Sequence, residues 1–313
     1  MHDPIQTLPP ELQAIYTAVR DDRTHGASWI ARYLAHALGS TLGGGSDMAS
    51  DERLATIQTL LQAVASVRPS MAAVAHTAAL LWNSAADVTI APSTRVEALR
   101  RATDTLAHAW DTAATDILQA AAARLTGTIL THSRSGTVEH VLTHLPKPQS
   151  HSSRRVIVTQ SHPGDEGIAT AQALAHAGWE VTLIADTAAG IFMPEADVMV
   201  IGADSVRPDG SVVNKVGSYP LALVAQAARK PVYVLCETIK IAGESVPLVF
   251  EEMSPSELFT GETVGIRARN MYFDLTPRAL ISGIITEEGL LSSDAIGERA
   301  RQHDAAMRTL RGN

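Results

Sequence analysis

Cysteine, lysine and aromatic residues are the scarcities of this chain, with one Cys, four Lys and 4% Phe, Trp and Tyr in 313 residues. The lone thiol, Cys236, cannot close an internal disulfide, and Met1-His2-Asp3-Pro4 has no basic segment leading into an apolar run, so a cytoplasmic protein is expected. Against 33 acidic residues the 25 basic ones leave a net charge of −8. That balance offers no concentrated basic surface for phosphate chains, and direct nucleic-acid binding is not expected. Long apolar runs are also missing: the stretch from Asp116 to Thr131 is broken by Arg124 and Gly127, short of the roughly 20 residues a membrane span needs. The 12 histidines include no HExxH and no close His/Asp cluster, so neither a metal nor a cofactor is expected.

Apolar material is plentiful: 45% of residues are hydrophobic, charged residues make up 19%, and the mean hydropathy is +0.05. This composition belongs to a folded chain long enough for two domains of roughly 100–200 residues each. Residues 1–125 read as a helical domain of roughly four to six helices, because apolar residues such as Leu54, Ile57, Leu60, Leu61 and Val64 recur at helical spacing. Pro9-Pro10 suits a helix start, the stretch from Gly39 to Gly45 suits a flexible break, and Arg68-Pro69-Ser70 suits the start of a further helix.

Residues 126–313 change pattern. Val156-Ile157-Val158, Val181-Thr182-Leu183-Ile184, Val198-Met199-Val200-Ile201 and Val232-Tyr233-Val234-Leu235 read as strands buried on both faces. Helical segments over 167–178 and 219–230 alternate with them. The alternation predicts an α/β fold, a Rossmann-like, doubly wound parallel sheet behind the helical domain. Residues 145–155 read as a polar loop and 243–269 as an acidic irregular segment.

In such sheets ligands bind beyond the carboxyl ends of the strands, which singles out two segments. From Thr128 to Thr137 an apolar strand runs into Ser133, Arg134, Ser135 and Gly136 ahead of a helix; hydroxyls and backbone N–H groups there suit a phosphate-sized anion, although a plain helix cap at Ser135 or Thr137 fits equally. From Gly202 to Ser218 the chain places Asp204 after a strand, a tight turn at Asp209-Gly210, and Asn214-Lys215 near a second helix start. A third group, His25-Gly26-Ala27-Ser28 with Arg68, lies in the helical half; Arg68 at a helix N-terminus opposes the macrodipole unless it serves a ligand, and a surface Arg is the alternative.

Together these segments resemble the translation initiation factor 2B alpha/beta/delta family, which includes sugar-phosphate isomerases acting on ribose 1,5-bisphosphate and methylthioribose 1-phosphate. Residues 202–218 resemble its GADxxxxDGxVxNKxGT signature, with Ser218 for the final Thr. Gly26-Ala27 resembles its RGA, Arg68-Pro69-Ser70 its RPT, 129–136 its THCxxG strand end, and 272–277 its FDxTP. The resemblance, spanning about residues 23–290, implies a helical N-terminal domain, dimerisation through the C-terminal one, and ligand contacts from Gly26, Ala27, Arg68, Ser133, Arg134, Ser135, Gly136, Asp204, Asn214 and Lys215. The apolar segment Tyr272 to Ile285 suits such a dimer interface.

The departures bear on function. Asp204 matches the isomerases' catalytic Asp, but their Cys is Ser133 here, and a hydroxyl is far less acidic than a thiol. His25 replaces the Arg of RGA, with Arg23 close by. Ser161-His162-Pro163-Gly164-Asp165-Glu166-Gly167 replaces (S/T)RPxxQG, which removes positive charge and adds negative charge where a bisphosphate would bind. The leading expectation is a regulatory protein that binds a partner, such as an initiation factor 2 subunit, and holds a nucleotide or sugar phosphate in a degenerate isomerase cleft. An aldose-to-ketose 1-phosphate isomerase using Asp204 and Ser133 is the alternative, and an enzyme for an unphosphorylated or differently charged substrate is a third reading.

Overall fold

Prolines open two of the helices in the N-terminal layer. Pro10 begins α1 (Pro10–Asp21) and Pro92 begins α5 (Pro92–Ala121), positions where the missing N–H has no helical partner to lose. Between them run α2 (Ala27–Gly43), α3 (Ser50–Val67) and α4 (Ala72–Asn83), giving five α-helices among the described residues of this half. The computed structural model describes residues 4–22, 25–44, 48–146, 154–250, 252–261, 263 and 265–312.

Two expectations are corrected here. The break at Gly39 to Gly45 does not begin at Gly39, which lies inside α2; a Cβ there would stand 2.6 Å from Thr103 Oγ1, so the glycine permits a close crossing with α5. Gly45 falls outside the described residues. Nor does Arg68-Pro69-Ser70 open a helix: Arg68 is the C-cap of α3, Pro69 disfavours helical continuation before it, and α4 starts at Ala72.

The second half runs β1 (Ile129–Thr131), α6 (Gly136–His144), β2 (Arg155–Thr159), α7 (Glu166–His176), β3 (Glu180–Ile184) and α8 (Ala189–Phe192). It continues through β4 (Val198–Ile201), β5 (Ser205–Val206), β6 (Val212–Lys215), α9 (Ser218–Ala227) and β7 (Val232–Leu235). Last come β8 (Glu252–Met253), β9 (Asn270–Met271), β10 (Phe273–Thr276), β11 (Gly283–Thr286), β12 (Gly289–Leu290) and α10 (Ser293–Arg311). Seven strands form one sheet in the order β12-β11-β7-β4-β1-β2-β3, parallel throughout except for β12. One face packs on α5, α6 and α7 through Ile117, Val141 and Leu174, the other on α8 and α9 through Ala189 and Ala222. The expected α/β, doubly wound architecture is thus present. Outside this sheet, β10-β6-β5 form a small antiparallel sheet, and β8, within the segment 243–269, pairs with β9 just beyond it.

Of the four strands expected to be buried on both faces, β2, β4 and β7 are largely so. The fourth, β3, is not: it is the edge strand, and Leu183 is 46% exposed. A run of apolar residues does not reveal which strand is left at the edge. The segment Tyr272 to Ile285 uses its apolar side chains internally, with Phe273 in β10 and Ile281, Ile284 and Ile285 buried around β11. The last helix, α10, returns to the N-terminal layer, where Ala306, Met307 and Leu310 join the core of α1 to α4.

Candidate functional site

Strand order reverses at β1 and β4: from β1 the chain winds toward β2 and β3, and from β4 toward β7 and β11. Loops leaving adjacent strands at such a switch point diverge and leave a crevice at the carboxyl end of the sheet. Here the two loops carry Ser133-Arg134-Ser135 and Ala203-Asp204. Gly202 is bare where they meet, since a Cβ would lie 2.5 Å from Ser135 Oγ.

A cavity of about 300 Å³ occupies this crevice, and all ten residues singled out in the sequence line it: Gly26, Ala27, Arg68, Ser133, Arg134, Ser135, Gly136, Asp204, Asn214 and Lys215. Gly26 is the N-cap of α2 and Ser135 that of α6, so the N-terminal turns of two helices face the same space. Ser135 accepts a hydrogen bond from the Val138 N–H at 3.3 Å, so the capping reading holds while the residue also lines the cavity. Ser133 leaves β1 in the left-handed region at φ 65°, with Thr170 Oγ1 donating to its carbonyl at 3.1 Å. Arg68 is no surface arginine: it is 5% exposed and donates to the Asp22 carbonyl at 2.6 Å.

The two lysines of the cavity belong to different clusters. Lys215 Nζ is 2.9 Å from a Glu166 carboxylate oxygen and lies over the Tyr272 ring, 3.7 Å from its centroid. Lys240 pairs with Glu237 at 3.2 Å, both nearly buried, and Glu237 also accepts from Ser28 Oγ at 3.0 Å and Thr137 Oγ1 at 2.7 Å. Burial disfavours charge on both partners, but their mutual attraction prevails, leaving the Glu237 pKa below its usual range and that of Lys240 above. Glu237 thereby ties the first turns of α2 and α6 to the turn carrying Lys240.

His132, at the end of β1, supports the wall. Its Nε2–H donates to the Val216 carbonyl at 2.9 Å, so the neutral ring accepts through Nδ1, with Thr159 Oγ1 at 2.7 Å. Burial pushes its pKa down. Cys236 does not line the cavity; it is fully buried, and burial pushes its thiol pKa up.

Of the residues marked by departure from the family pattern, His25 and Glu166 line the cavity, whereas His162 and Asp165 do not. Those two pair with each other at 3.2 Å on the exposed rim of the turn before α7, with the Asp186 carboxylate accepting from the Ser161 and His162 N–H groups at 2.7 Å. Arg23 lies outside the described residues. Sequence reasoning missed Trp29, Ala169, Met253 and Lys240 among the lining residues. Lys240 alone left a signal, as one of four lysines and three residues after Glu237. Chemically, the arrangement offers two helix N-termini and four cationic side chains to an anion, and the carboxylates of Asp204 and Glu166 to hydroxyl groups or a proton.

Comparison with known proteins agrees with this geometry. The chain is 33% identical to a ribose 1,5-bisphosphate isomerase of Archaeoglobus fulgidus over 87% of each sequence. It is also 33% identical to a putative translation initiation factor eIF-2B subunit 2-like protein of Pyrococcus furiosus, over 91% of this chain and 97% of the relative. The crystal structure of the Pyrococcus horikoshii translation initiation factor eIF-2B superposes with a TM-score of 0.75 at 29% identity, covering 91% of this chain and 98% of that one. Residues 23–293 match the Initiation factor 2 subunit family, a span holding every residue named for the site, and the chain belongs to that family.

Proposed function

We propose that this chain is a cytoplasmic regulatory member of the family that binds a small sugar phosphate in the switch-point cavity and engages a partner protein, for which an initiation factor 2 subunit is the candidate. The observation that carries the reading is the cavity itself, which keeps its cationic side chains and helix N-termini but presents Ser133 where thiol chemistry would need a cysteine. The buried Cys236 is no replacement. Ser133 Oγ donates to a Glu166 carboxylate oxygen at 3.5 Å, but a carboxylate is too weak a base to ionise a serine hydroxyl at neutral pH, so turnover that depends on a thiolate is lost while binding remains. Calorimetric titration with ribose 5-phosphate tests the reading: saturable binding supports it, and absence of heat at millimolar ligand refutes it.

One observation favours a second reading. Asp204 remains in the cavity with Glu166 as a second carboxylate, a pair able to move a proton between adjacent carbons of an open-chain sugar phosphate. Robust turnover in a coupled aldose–ketose isomerase assay, abolished by Asp204→Asn, would establish it in place of the regulatory reading.

A further inference from the structure

Among the described residues the cavity is lined by four cationic side chains, Arg68, Arg134, Lys215 and Lys240, and by two carboxylates, Glu166 and Asp204. Lys215 and Lys240 are already met by Glu166 and Glu237, and Arg134 lies 3.6 Å from Glu139, so the cavity's positive charge is largely compensated and suits at most one phosphate monoester, which carries about 1.5 to 2 negative charges at neutral pH. A second phosphate would enter with no charge left to meet it, and a poorly solvated, uncompensated anion is costly.

The two lysines differ in what they can still offer. Glu237 stands behind Lys240, nearly buried and held by Ser28 and Thr137, as a fixed part of the wall. Glu166 instead faces the cavity with its side chain 35% exposed, and both its oxygens lie within 3.0 Å of Lys215 Nζ. As the first residue of α7, it sits where a helix favours negative charge. The Tyr272 ring covers a further side of Lys215. The Gly164 backbone closes in as well, since a Cβ there would stand 3.2 Å from Nζ. Around this lysine the field is acidic: Tyr272 OH donates to Glu257 at 2.5 Å, and burial together with Glu257, Glu166 and Asp165 raises the phenol's pKa. An anion approaching Lys215 therefore meets a carboxylate already in its place. A hydroxyl group meets a carboxylate that accepts and an ammonium that donates.

We infer that the cleft selects a sugar monophosphate over a bisphosphate: the phosphate is held by the α2 and α6 N-termini with Arg68 and Arg134, and the uncharged, hydroxylated end of the sugar meets the Glu166–Lys215 pair. Glu166 is the specificity-determining residue. The inference rests on the sugar-phosphate reading above and narrows it to one ligand class.

Calorimetry on the full chain with two probes, ribose 5-phosphate and ribose 1,5-bisphosphate at one fixed salt concentration, tests it. The wild type should bind the monophosphate about tenfold or more tightly than the bisphosphate, the scale of one charge-assisted hydrogen bond. Glu166→Gln, isosteric and partly exposed, should shrink that ratio at least about fivefold, both by strengthening bisphosphate binding and by weakening monophosphate binding through loss of the charged acceptor for the sugar hydroxyls. Equal or tighter bisphosphate binding by the wild type overturns the selectivity while leaving the sugar-phosphate reading standing. A ratio unchanged in a folded Glu166→Gln protein overturns the role of Glu166. Binding of neither probe removes the sugar-phosphate reading and the selectivity with it.

Discussion

Acid should weaken this fold through a pair of buried histidines that brace the turn carrying Lys240. His76 of α4 and His303 of α10 stack with ring centroids 4.1 Å apart. Each donates an Nδ1–H, His76 to the Ile239 carbonyl at 2.9 Å and His303 to the Ile241 carbonyl at 2.7 Å, so they grip the residues on either side of Lys240. Burial and then the His303 neighbour lower the His76 pKa to about 3, and His303 is lowered by burial as well. An unfolded chain protonates His76 near pH 6.5, whereas the folded one resists until far lower pH. The unfolded state therefore binds more protons across this window, and stability complete above pH 6.5 is lost as pH falls toward 3. At pH 5 the loss from His76 alone is about 2 kcal/mol, since each of the ~1.5 pH units below 6.5 contributes about 1.36 kcal/mol. His76→Asn keeps a donor near the Nδ1 position and removes the titration. Urea unfolding at pH 7.5 and pH 5.0 should show the wild type losing about 2 kcal/mol more than the variant between the two pH values. Equal losses in both proteins would refute the argument.

Two further outcomes are expected. The wild type should show little or no isomerisation of ribose 1,5-bisphosphate, and Ser133→Cys alone should not restore it fully, because Glu166 still occupies Lys215 and misplacement of a substrate by about 1 Å costs roughly a hundredfold; robust wild-type turnover in a coupled assay would contradict this. The chain should form a homodimer through its α/β half, where Ile191 on α8 is 73% exposed and Tyr219 and Leu223 on α9 are about 40% exposed; light scattering that gives only monomer up to high concentration would refute it.

The buried strands were legible because β-branched runs such as Val198 to Ile201 have few other uses, and the site loops because strand ends in a doubly wound sheet are where ligands go. Gly202 to Ser218 could be read as one unit because its loop, β6 and helix start are contiguous in sequence. What stayed hidden depends on contacts between distant segments. Gly39 looked like a break because only its crossing with Thr103, 64 residues on, explains a glycine inside α2. The edge position of β3 is a property of strand order, which Val181 to Ile184 cannot encode locally. Lys240 and Glu237 enter the site through Ser28 and Thr137, separated from Glu237 by 209 and 100 residues, and the Glu166–Lys215 pair spans 49.

The central claim is that the switch-point cavity holds a phosphorylated sugar by cations beside the α6 N-terminus. Arg134 gives the most direct test because its side chain is 54% exposed, so its removal should not disturb folding. Ribose 5-phosphate titrated into the wild type and into Arg134→Ala should give saturable binding to the first and about tenfold weaker binding to the second, the cost of one charge-assisted contact. Identical affinities for the two proteins would contradict the account.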